Sequence, residues 1–354
     1  MNWLKISLIG VFFSLICVSC STEVDIAAPK KETMAVYGIL NPKENVQYIK
    51  VFKAFISSDT SALELAQDPN AIYYGEGELE IEITENTSNR KFIAKPILLD
   101  TVPGFGPLSD KDYFGFDGVF PQSPNRAYAL NFTPKPGQTY SLRVTNVKTQ
   151  YQVTAQTQTI ANFSVRRPFS STSSPWNWII PTTSPIEWDK SPEAGIFDVR
   201  MALTSEVRDA AFVNILRTDV QTVSIIKAYR DKKFDFTKDF LFGAIAEAID
   251  PLPTTEVRAL QTVVVEVVAG NIDYERFINF NEAQNSVGSS QSLKVFTNIQ
   301  GGVGLFASKT SAQTIPIKVT EQSVDTLACG KLTNTLRYAT ANNPSRNPNF
   351  PYCD

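Results

Sequence analysis

From Met34 onward the chain is built of short runs in which apolar and polar residues alternate with period two. "MAVYGI" (34–39), "VQYIKVF" (46–52), "GELEIEIT" (77–84), "KFIAKPILL" (91–99), "TYSLRVTNV" (139–147) and "YQVTAQTQTI" (151–160) all show it, with Pro, Gly, Asn and Asp between them. Period two sends neighbouring side chains to opposite faces, which is the pattern of a strand with one wet face and one dry one. Strands of this kind bury their dry faces by stacking sheet on sheet, so the pattern predicts a mainly β chain of antiparallel sandwiches.

A second alternating set opens at "IEWDKSPEAGIFDVRMALT" (186–204), with Trp188 expected in its core, and continues through "AAFVNILRTDV" (210–220) and "VVVEVVAG" (263–270). Helical spacing interrupts it in "TKDFLFGAIAEAIDPLP" (237–253), where Phe240, Leu241, Ala244, Ile245, Ala248 and Ile249 recur on one side until Pro251. A second short helix is expected at "IDYERFINFNEAQN" (272–285), and "SALELAQD" (61–68) has a helical face of Ala62, Leu65 and Ala66. The stretch "KPGQTYSLRVT" (135–145) resembles the turn-into-strand corner of immunoglobulin and fibronectin type III sandwiches, where a tyrosine, here Tyr140, braces the turn through its hydroxyl. The expected organisation is a signal peptide (1–19), a lipid-anchored tether (20–33), an N-terminal sandwich (34–161), a Ser/Thr/Pro-rich linker (162–185), a C-terminal sandwich with one or two inserted helices (186–340) and a tail (341–354).

The opening segment has the shape of a signal peptide: Met1 to Lys5 is weakly positive and Ile6 to Val18 nearly all apolar. The run is shorter than the roughly 20 apolar residues a spanning helix needs. Its end, "CVSC", resembles a bacterial lipobox with Cys20 as the lipidated residue, although Cys17 stands where that pattern usually has Leu. An ordinary secretory cleavage is the alternative. Cys329 and Cys353 then remain, enclosing a Pro/Asn-rich tail. In an exported chain they are expected to form a disulfide, with two free thiols as the alternative.

The sequence contains no histidine. Ser-His-Asp and Cys-His nucleophile systems need an imidazole to move the proton, and zinc sites draw mostly on His or paired Cys, so neither class is expected. With formal net charge -3 and no Lys/Arg cluster longer than a pair, nucleic acid is not an expected partner. The glycines of "NIQGGVGLFAS" (298–308) lack the spacing of a phosphate loop or a dinucleotide fingerprint, and the flanks read as strands, so a glycine-rich hairpin or bulge is expected. "SDKDYFGFDG" (109–118) gathers Asp110, Asp112 and Asp117 but has Phe114 and Pro121 where an EF-hand needs oxygen ligands. It reads as a solvated loop, with an irregular Ca²⁺ site the alternative.

Glu76, Glu78, Glu80 and Glu82 project from one face of "GEGELEIEITE", and carboxylates aligned about 7 Å apart call for water, cations or a basic partner. Trp176 and Trp178 in "SPWNWII" fall on one side of an extended segment. They are candidates for contact with a partner protein or a glycan, with plain packing as the alternative. No catalytic residue, metal or cofactor is expected.

Several stretches together resemble a family of Bacteroidota outer-membrane lipoproteins that carry a domain of unknown function and are often encoded near TonB-dependent receptors. They are "VDIAAPKKETMAVYGILNP", "YSLRVTNVKTQYQVTAQTQT", "IDYERFINFNEAQN" and "VFTNIQGGVGLFASKT". The resemblance implies a β-sandwich lipoprotein in the outer membrane, facing outward, with the periplasmic face as the alternative. Surface export in that group favours acidic residues after the lipid cysteine, and here Glu23 and Asp25 follow it. The function expected is a non-enzymatic accessory or scaffold subunit of an outer-membrane β-barrel complex serving transport, protein export or barrel assembly. The rival is a surface lipoprotein that binds glycan or another ligand, and a carboxylate hydrolase stands third.

Overall fold

The alternation becomes a pleat: along residues Thr139–Asn146, Tyr140, Leu142, Val144 and Asn146 are buried while the residues between them are partly exposed. The computed structural model describes residues 33–54, 68–102, 124–169, 174–179, 183–189, 191–286 and 296–341. The aspartate-bearing loop at 109–118 and all but the end of the expected helix at 61–68 lie outside them.

The first half contributes β1 (Thr33–Leu40), β2 (Val46–Ala54), β3 (Leu79–Glu85), β4 (Arg90–Ile93), β5 (Lys95–Leu98), β6 (Arg126–Asn131), β7 (Thr139–Asn146) and β8 (Gln152–Gln158). A four-stranded antiparallel sheet, β4-β3-β7-β8, packs its dry face on β1, β2 and β6. Met34, Val36, Ile49, Ile81, Ile83, Leu142, Val144 and Val153 meet in the core between them. The run 91–99, expected as one strand, is two. It leaves one sheet and joins the other at Ala94, whose N–H donates to the Ile81 carbonyl at 2.9 Å. Pro96, which has no N–H to give, sits in the edge strand β5.

The second half adds β9 (Val165–Arg167), β10 (Thr183–Trp188), β11 (Ala194–Asp209), β12 (Ile215–Tyr229), β13 (Lys233–Thr237), α1 (Lys238–Ala248), β14 (Glu256–Asn271), α2 (Ile272–Ser286), β15 (Val303–Gln313) and α3 (Glu321–Cys329). Residues 210–214, expected within a strand, form the hairpin turn between β11 and β12. Asp209 makes that turn by accepting the N–H groups of Val213 at 2.8 Å and Asn214 at 3.1 Å, which holds its carboxyl below the usual range. On the inner face of β11, β12 and β14 lie the three-stranded sheet β13-β10-β9 and α1. Trp188, Phe197, Met201, Val265, Leu241 and Ile245 fill the space between. Thr237 caps α1 through its hydroxyl on the Phe240 N–H, and the helix buries Leu241, Phe242 and Ile245. Phe240, expected on that apolar side, stays 44% exposed. Asn271 caps α2 by accepting the Tyr274 N–H, and its amide also donates to Thr157 and to the Gln158 carbonyl at the end of β8.

β15 joins the halves. Its first residues run parallel to β1, Ala35 opposite Val303 through Leu40 opposite Ser308, and its last pair antiparallel with β14. The result is one eight-stranded sheet, β12-β11-β14-β15-β1-β2-β6-β5. The glycine-rich stretch, expected as a hairpin or bulge, is a turn feeding a strand that pairs with β1 of the first half as well as with β14 of the second. Residues 296–299 are not a strand. Instead the Asn298 side chain exchanges hydrogen bonds with the Phe306 N–H and carbonyl, 2.9 and 2.7 Å long. Gly304 is glycine for a reason that can be named: its φ is +117°, and a Cβ there would press into the Val36 backbone.

Candidate functional site

Of the residues singled out from the sequence, Cys20 and Cys353 lie outside the described residues, and Cys329 is the last residue of α3, partly buried against the second core. The tryptophans separate. Trp178 is 1% exposed, its ring stacked edge-on against Phe242 and its backbone N–H donating to Ser323 Oγ at 2.9 Å. An indole enclosed in this way touches neither glycan nor partner, so Trp178 belongs to the core. Ser, Thr and Pro around it suggested an exposed linker. Backbone bonds override that composition, because the Trp176 N–H donates to the Lys318 carbonyl and its own carbonyl accepts from Thr320.

Trp176 is half-buried and meets Trp178 and Phe236 edge to face. Its free side forms one wall of a cleft of about 200 Å³, lined by Arg167, Pro168 and Phe169 at the end of β9, by Ser174 to Asn177, and by Ser184 and Pro185 of β10. Phe169 is 66% exposed with the Arg167 guanidinium 5.0 Å from its ring centre, and Arg167 also pairs with Glu187 at 3.4 Å. An exposed phenyl ring beside a cation and a fixed indole edge offers apolar contact, a hydrogen-bond fork and a cation–π face together. Arg167 and Phe169 were not legible as site residues. A single Arg-Pro-Phe in a Ser-rich stretch has no period, and only the fold brings it against Trp176.

Two of the four carboxylates on the acidic face of β3, Glu78 and Glu82, are answered from within the chain. Glu82 pairs with Arg143 of β7 at 3.1 Å and Lys91 of β4 at 3.2 Å, and Glu78 faces Lys148 at 3.7 Å. Glu85 takes Lys135 at 2.7 Å. That hydrogen bond first, and one from Ser88 second, hold its carboxyl below the usual range. Among the described residues no group of three His, Cys, Asp or Glu side chains is placed to hold a metal ion, and no helix is long and apolar enough to cross a membrane.

No protein-family model and no curated protein matches the chain. Among solved structures it is similar to the crystal structure of chicken CNTN1 FN1-FN3 domains, at 10% identity and a TM-score of 0.17. The alignment covers 80% of this chain and 66% of that chain, a little under two thirds of its length. A TM-score that low carries no inference about this chain, whose fold rests on the strands and sheets described above.

Proposed function

We propose that this chain is a non-enzymatic, lipid-anchored accessory or scaffold subunit of an outer-membrane β-barrel complex, tethered at the cell surface through Cys20. The observation that carries the reading is the make-up of the Phe169–Arg167–Trp176 cleft. Its volume of about 200 Å³ falls below the ~300–1,000 Å³ of small-molecule pockets and suits one inserted partner side chain. Aromatic residues and arginine are also the types that concentrate binding energy at protein interfaces. The eight-stranded sheet, across the core from the cleft, runs unbroken between the two halves, which suits a tethered scaffold. The lipobox-like "CVSC" supports the anchor, because acyl chains bury methylenes at about 0.8 kcal/mol each. The barrel as partner rests on the family resemblance.

The test uses the full lipid-anchored chain. Phe169→Ala with Arg167→Ala should release it from its barrel complex in a mild-detergent pull-down, with its melting temperature unchanged. If the complex survives and retention on polysaccharide is lost, the cleft serves a glycan binder. If both survive, the cleft is not the site. Cys20→Ala should abolish lipid labelling and leave the precursor unprocessed, and non-reducing peptide mapping should find Cys329 linked to Cys353.

A further inference from the structure

β15 changes partners along its length. From Val303 to Ser308 it pairs with β1, and from Lys309 to Gln313 with β14 on its other side. β1 stops at Leu40, opposite Ser308, and the chain turns away through Pro42 and Lys43 into β2. Past Ser308 the side of β15 that β1 occupied therefore has no strand among the described residues, which leaves a notch inside the sheet. One bond fixes the backbone polarity of that notch. The Thr314 N–H donates to the Val265 carbonyl at 2.9 Å, in the register that sets Ala312 against Val267 and Thr310 against Ala269, so these three residues turn their main-chain groups to β14. Alternation turns those of Ser311 and Gln313 the other way, into the notch, about 7 Å apart. Neither makes a main-chain hydrogen bond on that side among the described residues.

The notch opens on a cleft of about 240 Å³ whose walls include Thr310, Ser311 and Gln313, Lys43 from the β1–β2 turn, and Asn162 and Phe163 ahead of β9. It shares no lining residue with the Phe169–Arg167–Trp176 cleft. Thr310 is 6% exposed, and among the described residues its hydroxyl has no hydrogen-bond partner and the Lys43 ammonium no carboxylate. An enclosed hydroxyl left unmatched by its own chain is unusual, and it stands beside an unpaired cation and an open main-chain edge. We propose that this notch binds the C-terminal end of an extended peptide, antiparallel to β15, with its main chain bonded to Ser311 and Gln313. Its terminal carboxylate meets the Lys43 ammonium, with the Thr310 hydroxyl as a further donor. Main-chain groups repeating every second residue match a peptide strand, and a glycan carries no such row. The β1–β2 turn closes the notch at its Ser308 end, so a peptide seated there ends at Lys43, where a carboxylate finds its charge-assisted bond.

The experiment selects from a pool of N-acetylated tetrapeptides with free C-termini on the full chain in detergent, and measures each retained peptide by fluorescence anisotropy. Amidating the C-terminus should weaken binding to the parent about tenfold, the worth of a charge-assisted hydrogen bond. Lys43→Gln should bind acid and amide alike. Thr310→Val keeps the side chain's shape and should lose several-fold in affinity with the melting temperature unchanged. Methylating the peptide's nitrogens one at a time should weaken binding at those that face β15 and spare those between, a period-two signature that needs no change to the protein. The proposal is overturned if the pool yields no peptide on a folded chain, if acid and amide bind the parent alike, if Lys43→Gln still prefers the acid, if Thr310→Val binds as the parent does, or if methylation weakens every position equally.

Discussion

Ser308 Oγ donates to the Leu40 carbonyl at 2.9 Å across 268 residues of sequence, with Ser308 fully buried. These two are the last register partners of the parallel β1–β15 ladder, so the bond marks where the end of the chain's second half closes on the beginning of its first.

That joint is held most tightly at Gly304, and a pair of glycine substitutions separates backbone strain from collision. Gly77 has φ +69° and open space around its missing Cβ, so Gly77→Ala should cost about 1 kcal/mol, the strain of a left-handed alanine. Gly304→Ala, at a φ of +117° beyond the left-handed well, carries more strain and also drives a methyl group into the Val36 backbone, which cannot yield without breaking the ladder. It should cost more than about 4 kcal/mol. Thermal unfolding of both variants checks the ranking, and a Gly304→Ala protein that melts like Gly77→Ala would contradict the parallel joint.

Tyr140 supplies the second prediction. Its hydroxyl accepts the Lys135 N–H at 2.7 Å, while Thr159 Oγ1 donates to the Lys135 carbonyl and accepts from Gln138, so the turn around Gly137 is held from two strands. Tyr140→Phe keeps the buried ring and leaves the Lys135 N–H unmatched, which should cost about 1–3 kcal/mol. Urea unfolding, with the midpoint lowered and the slope unchanged, is the expected result.

The corner shows what kind of information the sequence carries. β7, β8 and α1 were legible because each expresses its own burial as a local period, and Tyr140 because its turn and strand are contiguous. The switch of sheets at Ala94 was not, since both pieces alternate alike and nothing local says which neighbour each will find. The β15 partnership was hidden for the same reason: a parallel pairing over such a separation leaves no periodic trace. The crowd of glycines signalled close backbone approach without saying to whose backbone. At the candidate site the tryptophans were visible, but their division into one core residue and one cleft wall depends on α1, α3 and the strand bridge at Val319.

That division gives the third prediction. Trp178→Ala empties a fully enclosed site between α1 and α3 and should destabilise by about 3–5 kcal/mol. Phe169→Ala removes a mostly exposed ring and should stay within about 0.5 kcal/mol of the parent. Calorimetry on the two variants distinguishes core from cleft. Equal melting temperatures would mean that the Trp178 indole is not enclosed.

The last prediction concerns alkaline pH. Burial pushes the Tyr338 phenol up to about 12, opposed by the nearby Arg258 guanidinium, which lies 5.8 Å from the ring and donates to the Leu336 and Asp250 carbonyls. A phenol in the unfolded chain titrates near 10. Between those values the folded state holds the proton and the unfolded state releases it, so the linkage runs against folding as pH rises. Stability from this group is complete below pH 10 and is lost towards pH 12, at up to about 1.4 kcal/mol per pH unit. Tyr37, Tyr48, Tyr128, Tyr140 and Tyr229 are raised in the same direction, chiefly by burial, and add to the slope. Melting temperatures measured from pH 8 to 11.5 should hold level and then fall. Tyr338→Phe cannot ionise there, so its curve should fall less steeply than the parent's over the same interval. Parallel curves would show that Tyr338 titrates in the folded protein as it does in the unfolded chain.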